Sequence, residues 1–254
     1  MNHLQLTESL KHLRLQTFAN ELQNLTMQAE TKRLSYGQFL AELVQAEISY
    51  RAAQRKKTLL AQSKVNSNKD LCDYNYTLRE GISEKQITRL SQGEWLKTGT
   101  NLVLYGDIGV GKTHLAAGLI KKLCELNYRC YYSTTAKLIE DLSKAKRDLD
   151  LAGYMKRLDK FDLLVCDELG YSPQNQEGGD LFFQLIAHRY ERKSILITTN
   201  LPYSEWQKVF YNPVTTAAAV DRIIHHCETI NIMGPSGRTT HAKEKMQEKL
   251  TSEP

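Results

Sequence analysis

From residue 101 onward, short apolar runs alternate with longer stretches in which apolar residues recur every three or four positions. The runs at 102–105, 161–168 and 194–200 read as strands buried inside a parallel sheet, and 129–133 and 228–233 as two further strands. Between them, the spacing predicts helices over 113–126, 136–160, 180–192 and 215–224. Regular alternation of strand and helix predicts an α/β fold.

Before residue 101 the pattern is helical only. Leu6, Leu10, Leu13, Phe18, Leu22 and Leu25 predict a helix over 4–27. Tyr36, Phe39, Leu40, Leu43, Ala46 and Tyr50 predict a second, whose pattern runs on toward Leu60. The Ser-, Asn- and Lys-rich stretch 63–75 reads as a linker. Ser83 and Gln86 have capping-box spacing, opening a short helix that ends near Trp95 and is closed by Gly99. The expected organisation is a small all-helical N-terminal domain (1–68), an α/β domain (69–238) and a mobile charged tail (239–254).

Chemistry enters at the first strand. It runs into Gly106, Asp107, Ile108, Gly109, Val110, Gly111, Lys112 and Thr113, which fit G-x-x-x-x-G-K-[ST] between a strand and a helix. Glycines let the backbone turn its N–H groups onto a phosphate, and the following helix aims its positive end at the same charge. Lys112 can reach the β/γ-phosphate oxygens and the Thr113 hydroxyl can ligate Mg²⁺. The alternative, a glycine-rich turn that merely joins strand to helix, does not explain this order of elements. The run at 161–168 ends in Asp167 and Glu168, at the carboxyl end of a parallel strand, where ligands of open α/β sheets sit. Such acids can simply cap the next element. Paired with a phosphate loop, Asp167 is placed to hold Mg²⁺ and Glu168 to polarise an attacking water. Asn200, closing the fourth run, is either a turn former or a group that orients that water.

The charge pattern adds one further candidate. Arg51, Arg55, Lys56, Lys57, Lys64 and Lys69 lie in a stretch with no acid, which is either a solvated helix face or a surface that tracks a DNA backbone. Acids and bases interleave through 136–160, as on a self-neutralising surface. A net charge of +5 only hints at an anionic partner. The five cysteines form no C-x-x-C pair, which fits reduced thiols in a cytoplasmic protein. Glu8 precedes any long apolar stretch and no apolar run reaches membrane-span length, so neither a signal peptide nor a membrane partner is expected.

Three segments together resemble the DnaC/IstB-like branch of the AAA+ ATPases: NLVLYGDIGVGKTHL at 101–115, LLVCDELGY at 163–171 and ITTNLPYSEW at 197–206. The text around Leu10 to Leu25, and Val209-Phe210, Pro213, Ala217 to Ile223 and His225-His226, resembles IstB-like transposition helpers more closely than helicase loaders. The resemblance implies a five-stranded parallel sheet of order 5-1-4-3-2 and no sizeable C-terminal lid. It further implies ATP and Mg²⁺ as cofactors, assembly into a homo-oligomer, double-stranded DNA as a ligand and a transposase encoded alongside. By position it assigns nucleotide contacts to residues 106–113 with His114, metal contacts to Thr113 and Asp167, and catalysis to Glu168 and Asn200. Arg222 matches an arginine inserted into a neighbour's site; its plainer role is a surface salt bridge. The charged region after Ser133 corresponds to a helical insert used for assembly and DNA contact. Asp107 and Ile108 depart from the family's usual residues, and Gly237 replaces an aromatic before Arg238.

The expected function is an ATPase that assembles on DNA and presents it to a transposase. Helicase loading and a nucleotide-gated scaffold without turnover are the alternatives.

Overall fold

The computed structural model describes residues 3–66, 68–171 and 175–237. Arg238 and the expected tail at 239–254 lie outside the described residues. The chain divides into two compact units, Met1–Thr58 and Leu59–Pro254.

The first unit is helical: α1 (His3–His12), α2 (Gln16–Lys32) and most of α3 (Tyr36–Ser63). The single helix expected over 4–27 is broken at Arg14, whose φ of 58° is left-handed. The apolar spacing shows why, because the five-residue step from Leu13 to Phe18 carries the stripe off its helical face. Leu22 and Leu43 are buried in this unit. Glu47 is buried too, accepting the Thr17 N–H at 2.9 Å and Arg51 Nε at 2.7 Å.

The second unit carries α4 (Glu84–Ser91), α5 (Glu94–Lys97), β1 (Asn101–Gly106), α6 (Lys112–Glu125), β2 (Cys130–Thr134), α7 (Thr135–Arg147), α8 (Leu151–Leu158) and β3 (Leu163–Leu169). There follow α9 (Gln176–Arg189), β4 (Ser194–Thr199), α10 (Gln207–Phe210), α11 (Pro213–His225) and β5 (Cys227–Ile232). The strands form one parallel sheet of order β2-β3-β4-β1-β5, the order implied by the resemblance.

Alternation along each strand feeds two cores. Leu102, Leu104, Leu163, Val165 and Leu196 face α6 and the α4–α5 region, whereas Val103, Leu164, Cys166, Ile195 and Ile197 face α7, α8, α9 and α11. With both faces covered, the inner strands must be apolar nearly throughout, which is why they were visible in sequence, whereas the edge strand β5 buries only Ile230 and Ile232. Burial pushes the Cys166 thiol up to about 12, so it stays protonated.

Three expected helices are subdivided. Gly93 (φ 76°) separates α4 from α5, and a Cβ there would sit 2.4 Å from the Tyr128 ring. Ser83 caps α4 by accepting the Gln86 N–H, but the Gln86 side chain reaches Glu228 at 2.8 Å instead of completing the capping box. The expected 136–160 helix is α7 and α8, divided at Leu149, which has φ 58°. In and just after the stretch expected as a linker (63–75), α3 ends at Ser63, and two 3₁₀ turns follow, Leu71–Asp73 capped by Asp70 and Tyr76–Leu78 capped by Asn75. One buried arginine secures the amino ends of β3 and β4. Arg189 donates to the carbonyls of Leu158 (3.0 Å), Phe161 (3.1 Å) and Ser194 (3.0 Å), and burial lowers its pKa to about 10.

Candidate functional site

The phosphate loop connects β1 to α6 and forms one wall of an open cleft of about 1110 Å³. At its end Gly111 has φ 97°, and a Cβ there would lie 2.5 Å from the Tyr74 ring. Only glycine permits both the turn and that approach. Several of the loop's carbonyls are drawn to donors: Lys112 Nζ donates to Gly106 O (2.7 Å) and Asp107 O (2.8 Å), and the Gly237 N–H to Gly109 O (2.9 Å). Val110 O accepts from Tyr74 Oη (2.9 Å) and Arg79 Nε (3.0 Å). Holding the carbonyls this way favours an anion in the cleft, because the lone pairs that would repel it are already engaged.

Gly106 and Asp107 therefore act as anchors for Lys112 and do not line the cleft, while Ile108, Gly109, Val110, Gly111, Lys112, Thr113 and His114 do. His114 Nε2 donates to Asp70 O at 2.5 Å, and its ring meets Tyr74 edge-on at 5.6 Å. It ties the first 3₁₀ turn to the loop's helix.

Opposite the loop stands the end of β3. Asp167 is 1% exposed, and its carboxylate accepts three hydroxyls: Thr113 Oγ1 (3.1 Å), Tyr132 Oη (2.5 Å) and Thr198 Oγ1. Burial, and then the bond to Asp167, pushes the Tyr132 hydroxyl far above the usual phenol range, so it remains a donor. The next residue breaks the strand's alternation. Glu168 has φ 61°, sits where the β3–β4 register shifts, and is exposed in the cleft between buried Asp167 and Leu169. Its N–H donates to Thr198 Oγ1 at 2.9 Å. One threonine thus fixes both acids: it donates to the first side chain and accepts from the backbone of the second. Asn200, just past β4, lines the same cleft beside Thr198 and Thr199.

The structure brings Lys112, Thr113, His114, Glu168 and Asn200 to one cleft, with Asp167 against Thr113. It does not bring Arg222 there. That side chain lies on α11, donates to Ala218 O at 3.0 Å and stacks over the Phe183 ring at 5.2 Å. Among the described residues no carboxylate is within ion-pair distance of it. Arg51, Arg55 and Lys57 are exposed on α3 and Lys56 is half-buried; of these, Arg51 is already engaged with Glu47 and with Arg14 O.

Sequence reasoning missed Tyr74, Arg79, Tyr132 and Thr198. Tyr74 and Arg79 fell in or beside the supposed linker, where the available signals were Asp70 and Asn75, residue types that initiate turns, and tyrosines in an otherwise polar stretch. Tyr132 and Thr198 look like ordinary strand residues, and only strand order places them beside Asp167.

Comparison with known proteins agrees with this geometry. The family model described as IstB-like ATP binding protein matches residues 8–245. A protein named as an insertion sequence ATP-binding protein in Sinorhizobium fredii is 36% identical over 236 residues, covering 92% of this chain and 79% of that one. One named as an ATP-binding protein of insertion sequence IS21 in Pseudomonas aeruginosa is 34% identical, covering 90% and 86%. Among solved structures, the DnaC helicase loader is 24% identical with a TM-score of 0.52, covering 59% of this chain and 87% of that chain. AMPPCP-bound DnaA from Aquifex aeolicus is 18% identical with a TM-score of 0.55, covering 73% and 56%. At those identities the structures show a shared fold. The family match spans nearly the whole sequence and includes the phosphate loop and both acids, and the chain belongs to the IstB-like ATP-binding proteins.

Proposed function

We propose that the chain is a Mg²⁺-dependent ATPase that assembles on double-stranded DNA and presents it to a transposase encoded beside it. The observation that carries the chemistry is the pairing of a buried Asp167, bonded to Thr113 of the phosphate loop, with a Glu168 turned into the cleft. The names of its relatives, tied to insertion sequences and ATP binding, support the biological setting. The fold shared with the DnaC helicase loader favours helicase loading as the second reading. The neighbouring reading frame separates the two: an integrase-type transposase supports the first, replication genes the second.

Each residue has a distinct task. Lys112 supplies a point charge to the β/γ-phosphates, and the loop's N–H groups and α6 dipole supply the rest of the cradle. Tyr74 and Leu78 offer an apolar flank to the base. Thr113 Oγ1 and Asp167 Oδ1, both hard oxygen donors 3.1 Å apart, suit Mg²⁺, which when bound would neutralise phosphate charge. Glu168 takes the proton of the attacking water, and Asn200 orients that water. Arg222, away from its own cleft, is delivered to a neighbouring subunit's γ-phosphate.

Lys112→Ala should abolish ATP binding in a fluorescent-nucleotide titration. Glu168→Gln should bind within about threefold of the parent yet lose at least about a hundredfold in turnover, the usual scale of general-base removal. Equal loss of binding in both variants would show the roles to be misassigned.

For DNA, neutralising Arg51, Arg55, Lys56 and Lys57 together should flatten the plot of log affinity against log salt. The slope tracks the number of phosphates neutralised. An unchanged slope in a folded protein would mean that the run is only a solvated face.

For assembly, Arg222→Ala should bind ATP normally but hydrolyse it about 10³-fold more slowly, as expected for an inserted arginine. Mixing it with Lys112→Ala should restore measurable turnover, because some interfaces then pair an intact arginine with an intact loop. Co-assembled mixtures that stay inactive would place Arg222 outside the neighbour's site.

A further inference from the structure

At the far end of α11 from its cap, two adjacent histidines meet a glutamate from another part of the chain. His225 closes α11, His226 follows it, and Glu191 lies in the turn between α9 and β4. Glu191 Oε1 is 3.4 Å from His226 Nε2 and 3.7 Å from His225 Nδ1, and the three ligand atoms all lie within 4.8 Å of one another. A tetrahedral zinc ion with ligand bonds of 2.0–2.1 Å places neighbouring donors about 3.3 Å apart. The separations from Glu191 to His226 and His225, 3.4 and 3.7 Å, lie near that figure. The geometry points to a divalent transition-metal site, of the zinc class, formed by Glu191, His225 and His226 with one position open to water.

The donor set has the right chemistry. Two imidazoles and one carboxylate form a zinc-type set, and such nitrogen donors disfavour Mg²⁺ and Ca²⁺, which take oxygen. The neighbouring cations do not compete for the carboxylate. Arg192 pairs with Asp159 at 3.1 Å and Lys193 with Asp162 at 2.7 Å.

The segments bearing the ligands are also held in place by one buried side chain. Asn101 at the start of β1 donates from Nδ2 to Ile223 O (3.2 Å) and from its N–H to His226 O (2.7 Å), while its Oδ1 accepts the Ile195 N–H (2.9 Å). The end of α11 and the start of β4 are thereby fixed to the same residue, so the ligands need little ordering on binding. Tyr190 Oη shares a hydrogen bond with His225 Nδ1 at 2.7 Å and also bonds the Glu191 side chain, so its hydroxyl competes with an ion for those ligand atoms.

Arg222 lies one turn before His225 on α11. A bound ion would therefore steady the last turn of the helix carrying the candidate intersubunit arginine. That consequence rests on the functional reading above; metal binding does not.

The test uses untagged full-length protein treated with chelator and exchanged into metal-free buffer. Cobalt(II) titration followed by visible absorption should show a tetrahedral-type spectrum saturating at one equivalent per chain, displaced by zinc. Zinc should raise the melting temperature increasingly with concentration. Glu191→Gln and His226→Gln, both exposed and close in shape, should each weaken cobalt binding at least tenfold, whereas Tyr190→Phe should bind as tightly as the parent or tighter. Circular dichroism checks that each variant keeps its fold. The proposal is overturned if the parent protein shows no stoichiometric cobalt spectrum, or if that spectrum survives unchanged in the folded Glu191→Gln and His226→Gln proteins. In the first case the three residues form only a polar surface contact; in the second the metal sits elsewhere. Failure of the ATPase predictions would leave the cobalt result intact, and the reverse holds equally.

Discussion

A charged carboxylate at 1% exposure constrains the whole α/β unit. Asp167 stands near the carboxyl end of β3, between β2 and β4, where desolvating it without partners would cost several kcal/mol. Its partners are hydroxyls from three different places: Thr113 at the start of α6, Tyr132 on β2 and Thr198 on β4. Each bond to a charged acceptor contributes about 1.5–3 kcal/mol against leaving it unmade. A slip of either neighbouring strand by one residue would turn a hydroxyl away from Asp167. The same arrangement fixes the phosphate loop relative to the sheet, since Thr113 belongs to both.

The loop itself is shaped from behind. Tyr74 and Arg79 draw Val110 O, Lys112 draws Gly106 O and Asp107 O, and the Gly237 N–H draws Gly109 O. Segments on either side of the core in sequence therefore determine what the loop offers to a phosphate. The bulge at Glu168 completes the division of labour. Two consecutive acids acquire opposite environments, one buried and bonded to three hydroxyls, the other exposed in the cleft.

How much of this was legible in the sequence depended on the range of the interaction. The inner strands could be read because burial on both faces demands nearly uninterrupted apolar residues, as in Ile195-Leu196-Ile197. The loop and its acids could be read because phosphate chemistry restricts residue identity at fixed spacing. The breaks at Arg14 and Leu149 could not, since both residues adopt left-handed backbone that local propensity disfavours. The ordered turns at 71–78 were hidden for a different reason: Tyr74 and Arg79 are fixed by contacts with a loop more than thirty positions later. Thr198 gave no sign of its role at all, because a threonine is an ordinary strand residue until β4 is placed beside β3.

The central claim is that hydroxyl support of Asp167 prepares the cation-binding side of the cleft, separately from the Lys112 side that holds phosphate. Thr198→Val keeps the shape and removes the hydroxyl. The most direct measurement is the affinity for a non-hydrolysable ATP analogue in the parent and this variant, with Mg²⁺ and with chelator. The account predicts that the Mg²⁺-dependent gain in affinity falls about tenfold, the equivalent of one lost hydrogen bond to a charge, while affinity in chelator stays within about twofold. An unchanged Mg²⁺ gain, or equal losses with and without the ion, would contradict it.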